Sequence, residues 1–156
     1  MKKLRTLLIS PYSRPLRNGK WNPKNYPYFD ELVEVLRGKV KIVQIGLTGE
    51  PMIKNISDIR QDMSLEVLKE VILEADTWIS VDNFFHHYCW TLGKKGVVIF
   101  GQSDPVIFGH KENINLLKGR EYLRPRQFAP WEEAEFNKEC FVLPRTVAAE
   151  VLRIID

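Results

Sequence analysis

Hydrophobic positions in this chain follow two alternating rhythms. Short β-rich runs at Leu7–Ser10, Val40–Leu47, Thr77–Val81 and Val97–Phe100 predict strands, with polar or glycine-bearing turns closing them. Between them the spacing lengthens to helical. Phe29, Leu32, Val33 and Leu36 form one stripe in a helix from about Pro27 to Arg37, stopped by Gly38. Ser64 reads as the N-cap of a helix running to Ala75, with Leu65, Leu68, Ile72 and Ala75 facing inward. A helix bearing His86 and His87 follows Asp82 and ends near Leu92, and a last helix spans Pro144–Ile155. Asn55–Arg60 and Asn113–Leu117 are expected as short additional strands, and Gly119–Lys138 as an irregular surface excursion. Strands alternating with helices imply an α/β domain built on a parallel sheet with right-handed crossovers.

Composition narrows the class. A chain of 156 residues is expected to form one domain with a sizeable core. Cys89 and Cys140 supply neither a disulfide framework nor a Cys-x-x-Cys metal pair, which points to a reducing, cytoplasmic setting. No apolar run approaches the roughly 18 residues of a membrane span. Leu7-Leu8-Ile9 is too short for a signal-peptide core, and the Met1-Lys2-Lys3 start leads into a strand. The 23 basic and 20 acidic residues nearly cancel, leaving +3. That balance argues against a nucleic-acid binder, which concentrates positive charge on one face. The densest basic stretches, Arg14–Lys24 and Lys118–Arg126, are suited instead to a single anion.

The chemistry gathers between Ala75 and Pro105. Asp82 ends one strand and opens a helix, while Gly101-Gln102-Ser103-Asp104-Pro105 follows the next strand at the same sheet edge. Ligands of open α/β sheets bind beyond the carboxyl ends of the strands, so two such loops on neighbouring strands predict a site. No G-x-G-x-x-G follows the first strand, which argues against a dinucleotide-binding dehydrogenase. His86 and His87 are adjacent and expected on different helix faces, with His86 solvated, so no metal and no other cofactor is expected.

The order and spacing of these residues resemble glycosyltransferase family 9, the heptosyltransferases. That family carries Asp-Ser/Thr-Gly-x-x-His, then Ala-Leu-Gly, then a strand ending Phe-Gly-x-Thr-x-Pro. Asp82 and His87 keep the first offset, followed by Leu92-Gly93 and Phe100-Gly101-Gln102-Ser103-Asp104-Pro105. Ser64-Leu65 before Ala75-Asp76, Gly19-Lys20-Trp21-Asn22-Pro23 near the start, and Gln44-Ile45-Gly46 with Glu50 are similar to further family elements. The resemblance covers nearly the whole chain. It implies a Rossmann-like three-layer parallel sheet, of the type of the C-terminal, nucleotide-sugar-binding domain of a two-domain GT-B enzyme. Met1 precedes the first such strand by only a few residues, so an acceptor domain is not expected within this chain. The family's proposed general base, an Asp, belongs to that other half, and a partner subunit or a homo-oligomer would have to complete the cleft.

By this resemblance Lys20, Glu50, Asp82, Asn83, His87, Gly101, Gln102 and Ser103 are the candidate substrate-binding residues. Lys20 would neutralise the leaving diphosphate, Asp82 would accept from sugar hydroxyls, and Glu50 would take a ribose or sugar hydroxyl. Asp82 has a second reading as a helix cap worth about 1 kcal/mol. Asn83-Phe84 replaces the family's Ser/Thr-Gly, so Phe84 either reshapes the phosphate cradle or blocks it. Trp21, Trp90 and Trp131 are expected to pack rather than to stack on a base. Three functions stay open: a glycosyltransferase donor domain for an ADP-heptose-like nucleotide sugar, a non-catalytic nucleotide or nucleotide-sugar binder, and an interaction module that has lost its ligand.

Overall fold

The structure is a computed structural model describing residues 3–56 and 58–156; the Met1-Lys2 start and Ser57, inside the expected Asn55–Arg60 strand, lie outside the described residues. Six parallel strands form one sheet in the order β3-β2-β1-β4-β5-β6. They are β1 (Thr6–Ser10), β2 (Lys41–Gly46), β3 (Ile59–Gln61), β4 (Thr77–Val81), β5 (Val97–Phe100) and β6 (Ile114–Leu117). The order reverses direction between β1 and β4, whose register pairs Ser10 with Ser80. A crevice opens at such a switch point because the connections on its two sides leave toward opposite faces.

Strand alternation sends successive side chains to opposite faces, and both faces are covered. Leu7, Ile9, Ile79, Val81, Val97 and Ile99 pack beneath α1 (Phe29–Leu36) and the last helix, α5 (Pro144–Ile155). Leu8, Val43, Trp78, Val98 and Phe100 pack against α2 (Leu65–Glu74) and α3 (Phe84–Thr91). The fold is a three-layer α/β Rossmann-like sheet, as expected. No helix of the described residues is long and apolar enough to cross a membrane.

Where boundaries differ from expectation, local geometry explains the difference. Asn55 sits at φ 67°, in the left-handed region, so the third strand begins only at Ile59. Helix α1 starts at Phe29 because Tyr26 and Pro27 belong to the preceding loop, with the Tyr26 hydroxyl donating to the Val142 carbonyl (2.8 Å). Gly38 ends that helix in the left-handed conformation (φ 78°). Leu65 is exposed rather than inward-facing. The Asp104-Pro105 pair nucleates a short helix, α4 (Pro105–Phe108), where the sequence suggested only a loop; Asp104 accepts from the Val106 N–H (2.9 Å).

Ser64 caps α2 as its sequence implies, its hydroxyl accepting from Val67 N–H at 3.2 Å. Ser64→Ala is expected to lower unfolding stability by about 1 kcal/mol, measured by urea denaturation with an unchanged slope.

Candidate functional site

The candidate site is a cavity of about 760 Å³ beyond the carboxyl ends of β1, β2 and β4. That is within the size range of small-molecule sites. Ser10, Tyr12, Ser13, Arg14 and Lys24 come to it from β1 and its following loop, and Gly46, Leu47 and Glu50 from the end of β2. Asp82, Asn83, Phe84 and His87 come from the β4–α3 junction. Trp131 enters from the Gly119–Lys138 excursion.

Asp82 is the electrostatic centre. Its side chain is 10% exposed, and its carboxylate lies 3.1 Å from His86 Nε2 and 3.9 Å from Lys24 Nζ. Ser103 adds a hydroxyl hydrogen bond from the β5 loop. Burial by itself would raise the Asp82 pKa. The hydrogen bond from His86, the charge of Lys24 and the Ser103 hydroxyl outweigh it and hold the carboxyl below its ordinary value. Lys24 shows the complementary effect. Burial lowers its pKa most, Asp82 opposes that, and the positive charges of Arg14 and Arg124 reinforce it.

Helix α3 is capped by Asn83, not by Asp82. The Asn83 side-chain oxygen accepts from Phe85 N–H (3.0 Å), while its Nδ2 donates to the Ser10 hydroxyl (3.1 Å) and the Tyr12 carbonyl (3.2 Å). One amide therefore ties the β1 loop to the start of α3 and leaves the Asp82 carboxylate free for side-chain partners. The Ser13 hydroxyl donates to the Asp82 carbonyl (2.6 Å), and Ser13 N–H donates to Asn25 Oδ1 (2.7 Å). Asn22 accepts from Lys24 N–H (2.9 Å) and donates to the Arg14 carbonyl (2.9 Å), which fixes the turn presenting Lys24.

Four of the eight candidate residues line the cavity: Glu50, Asp82, Asn83 and His87. Lys20 does not. It is exposed, with its N–H bonded to Asn18 Oδ1, and Lys24 is the lysine that reaches Asp82. Ser103 is buried behind Asp82. Gln102 faces the excursion: its Nε2 donates to the Glu135 carbonyl (2.8 Å) and its own carbonyl accepts from Arg124 N–H and Gln127 Nε2. Gly101 is required by packing, since a Cβ there would meet Cys140 Sγ at 2.6 Å and the Phe141 ring at 2.7 Å. Glu50 closes its own turn by accepting from Leu47 N–H (2.7 Å), and burial raises its pKa. His86, expected on solvent, is fully buried against Asp82. His87 turns its ring toward His110, with Nδ1 and Nε2 2.8 Å apart.

Phe84 does not plug the cavity. It is 61% exposed at the rim, stacked on Tyr88 with ring centroids 5.7 Å apart. Trp131 is more than packing, because it carries Arg124 over its ring at 3.6 Å and Lys24 at 5.5 Å while lining the cavity. Sequence reasoning missed Tyr12, Ser13 and Trp131 as site residues. Lys24 and Arg14 were foreshadowed by the basic stretch that contains them.

Among solved structures, the fold of this chain is similar to that of heptosyltransferases. E. coli ADP-heptose lipopolysaccharide heptosyltransferase II aligns with 99% of this chain and 47% of its own, at TM-score 0.67 and 12% identity. E. coli heptosyltransferase WaaC with ADP aligns over 72% of this chain and 37% of its own, at TM-score 0.55 and 19% identity. The iron-containing dodecameric glycosyltransferase TibC from enterotoxigenic E. coli covers 99% of this chain and 46% of its own, at TM-score 0.62 and 10% identity. The likeness is one of fold. The chain spans about half the length of the neighbours that it matches end to end. No protein-family model matches the chain, and no curated protein sequence does.

The charge arrangement has a measurable consequence. Asp82 has a lowered pKa in the folded state, so its stabilisation is complete above the unfolded value of about 3.9 and is lost as pH falls through the folded value. Asp82→Asn should flatten the acid limb of stability against pH below about 4 in pH-dependent denaturation. Asp82→Ala removes a buried charge partner rather than a helix cap. A loss of about 3–5 kcal/mol is expected from the same measurement, well above the ~1 kcal/mol of a cap.

Proposed function

We propose that this chain binds a nucleotide diphosphate-sugar in the cavity between β1 and β4, as the donor half of a glycosyltransferase of the heptosyltransferase type. The observation that carries the reading is the pair of buried Asp82 and half-buried Lys24 facing a cavity at the switch point of a parallel sheet. An ammonium and a carboxylate held together without a full neutralising contact, at 3.9 Å, suit a ligand that presents both anionic oxygens and hydroxyls. The fold shared with structures described as containing ADP or ADP-2-deoxy-2-fluoro heptose supports an ADP-linked sugar as the first donor to try.

In this reading Lys24, with Arg14 beside it, takes the diphosphate and offsets the negative charge that grows on it as the glycosidic bond breaks. The start of α3 contributes the positive end of its dipole to the same group. Asp82 accepts from sugar hydroxyls with its orientation fixed by His86 and Ser103. Glu50, with its raised pKa, is placed to bond a ribose or sugar hydroxyl at the β2 edge. The base that deprotonates an acceptor is proposed to come from a second domain or subunit, since the neighbours are about twice as long over the same fold. The non-catalytic binding reading uses this same donor site and differs only in lacking that base. The open cavity behind Phe84 weighs against an interaction module that has lost its ligand.

Thermal unfolding in the presence of ADP-, GDP-, UDP- and CDP-sugars tests the site. A ligand at a hundred times its dissociation constant raises stability by about 2.7 kcal/mol, and one nucleotide series should do so. Lys24→Gln should weaken nucleoside diphosphates at least tenfold, about 1.4 kcal/mol, while changing nucleoside binding little. Equal losses for both, or no shift with any sugar nucleotide, would refute the assignment.

A further inference from the structure

The chain contains three histidines, and the fold brings all three together. His86, His87 and His110 each offer a ring nitrogen, and these nitrogens lie within 4.8 Å of one another. His86 and His87 are consecutive on α3, and His110 arrives from the segment between α4 and β6. Nothing in the proposed sugar-nucleotide chemistry requires this convergence.

We propose that His86, His87 and His110 form a binding site for a divalent transition metal of the zinc class, at the margin of the cavity. The donor set fits: three neutral imidazoles suit zinc and its neighbours, and leave a fourth position for water or a ligand oxygen. The protonation pattern fits as well. An ionised carboxylate can only accept, so the Asp82 contact at 3.1 Å puts the proton of a neutral His86 on Nε2. Nδ1 of the same ring is then an unprotonated nitrogen, fully buried, with no hydrogen-bond partner among the described residues. A carboxylate holding one nitrogen of a histidine while the other faces a metal is the usual second layer of imidazole metal sites.

The other two rings are similarly prepared. Burial lowers the pKa of both His87 and His110, which favours the neutral, ligating form. His110 is stacked on Trp90, with centroids 4.3 Å apart and planes 7° from parallel, so its orientation is set by packing. The 2.8 Å between His87 Nδ1 and His110 Nε2 is shorter than the about 3.3 Å expected between two nitrogens on a tetrahedral zinc at 2.0–2.1 Å. Metal binding would replace the hydrogen bond of that pair, shifting its proton to the outer nitrogen of one ring, part the two nitrogens slightly and draw in any wider separation by at most about 1.5 Å. Thiols do not compete. Cys89 and Cys140 are buried, and burial pushes both thiol pKa values up, that of Cys140 to about 11. His87 also lines the cavity, so the open position lies close to any ligand held there.

The test uses zinc alone, so it does not depend on sugar-nucleotide binding. Untagged full chain is titrated with zinc by calorimetry and by competition with a chromophoric chelator. Cobalt(II) substitution is followed through its visible bands. One metal per chain is expected, with tetrahedral-type cobalt absorption. His110→Ala and His87→Ala should each weaken zinc at least tenfold while far-UV circular dichroism stays unchanged. Asp82→Asn should weaken it by roughly 10–100-fold through the freed orientation of His86. No stoichiometric zinc binding by folded wild-type chain would overturn the proposal. So would wild-type affinity in His110→Ala, a partly exposed residue whose loss the fold should tolerate.

Discussion

A carboxylate taken out of water must be compensated or it will not stay ionised, and Asp82 imposes that constraint on everything around it. Three different parts of the chain answer it. His86 lies one turn along α3, Ser103 comes from the loop after β5, and Lys24 from the long loop after β1. The β1 loop is accordingly not slack. Asn22, Asn25 and Ser13 satisfy its backbone groups so that Lys24 arrives in a fixed place. The excursion after β6 closes the other side, with Trp131 held between Arg124 and Lys24. Arg124 is anchored in turn by the carbonyls of Gln127, Ala129 and Pro130.

This arrangement explains why the cavity stays open although Phe84 stands where the motif that this sequence resembles has glycine. Asn83 takes over the cap and the link to β1, so α3 begins without needing a small residue at Phe84. Phe84 then lies outward on Tyr88 and lengthens the cavity wall. The same helix start presents Asp82 and His87 to the cavity and His86 to the interior. One short helix thus serves the charge centre, the rim and the histidine cluster.

Much of the fold was legible because strand and helix periods are local properties. The stripe Phe29, Leu32, Val33, Leu36 is buried as its spacing implied, and Thr77–Val81 and Val97–Phe100 are strands at the expected residues. Asp82 was placed by the same logic, since a polar residue ending a buried strand lies at the ligand edge. The neighbouring loop was harder. Lys20 and Lys24 both sit in one basic stretch, and only the hydrogen bonds of Asn18 and Asn22 decide which of them turns inward.

The histidines mark the limit most clearly. The resemblance assigned His87 to the site, where it lines the cavity, while His86 was expected on solvent because it lies on another face of the helix. The Asn83 cap sets the phase of α3 and buries His86 on Asp82. His110 lies far along the chain, and nothing local connects it to α3; the parallel crossover brings it there. The sequence by itself determined most of the strands and helices, the sheet class and the sheet edge at which the cavity opens, because these follow from periodicity and turn chemistry. Only the tertiary structure decided which lysine faces Asp82, which histidine is buried, and that Trp131 closes the cavity, because each depends on contacts between segments that the chain order keeps apart.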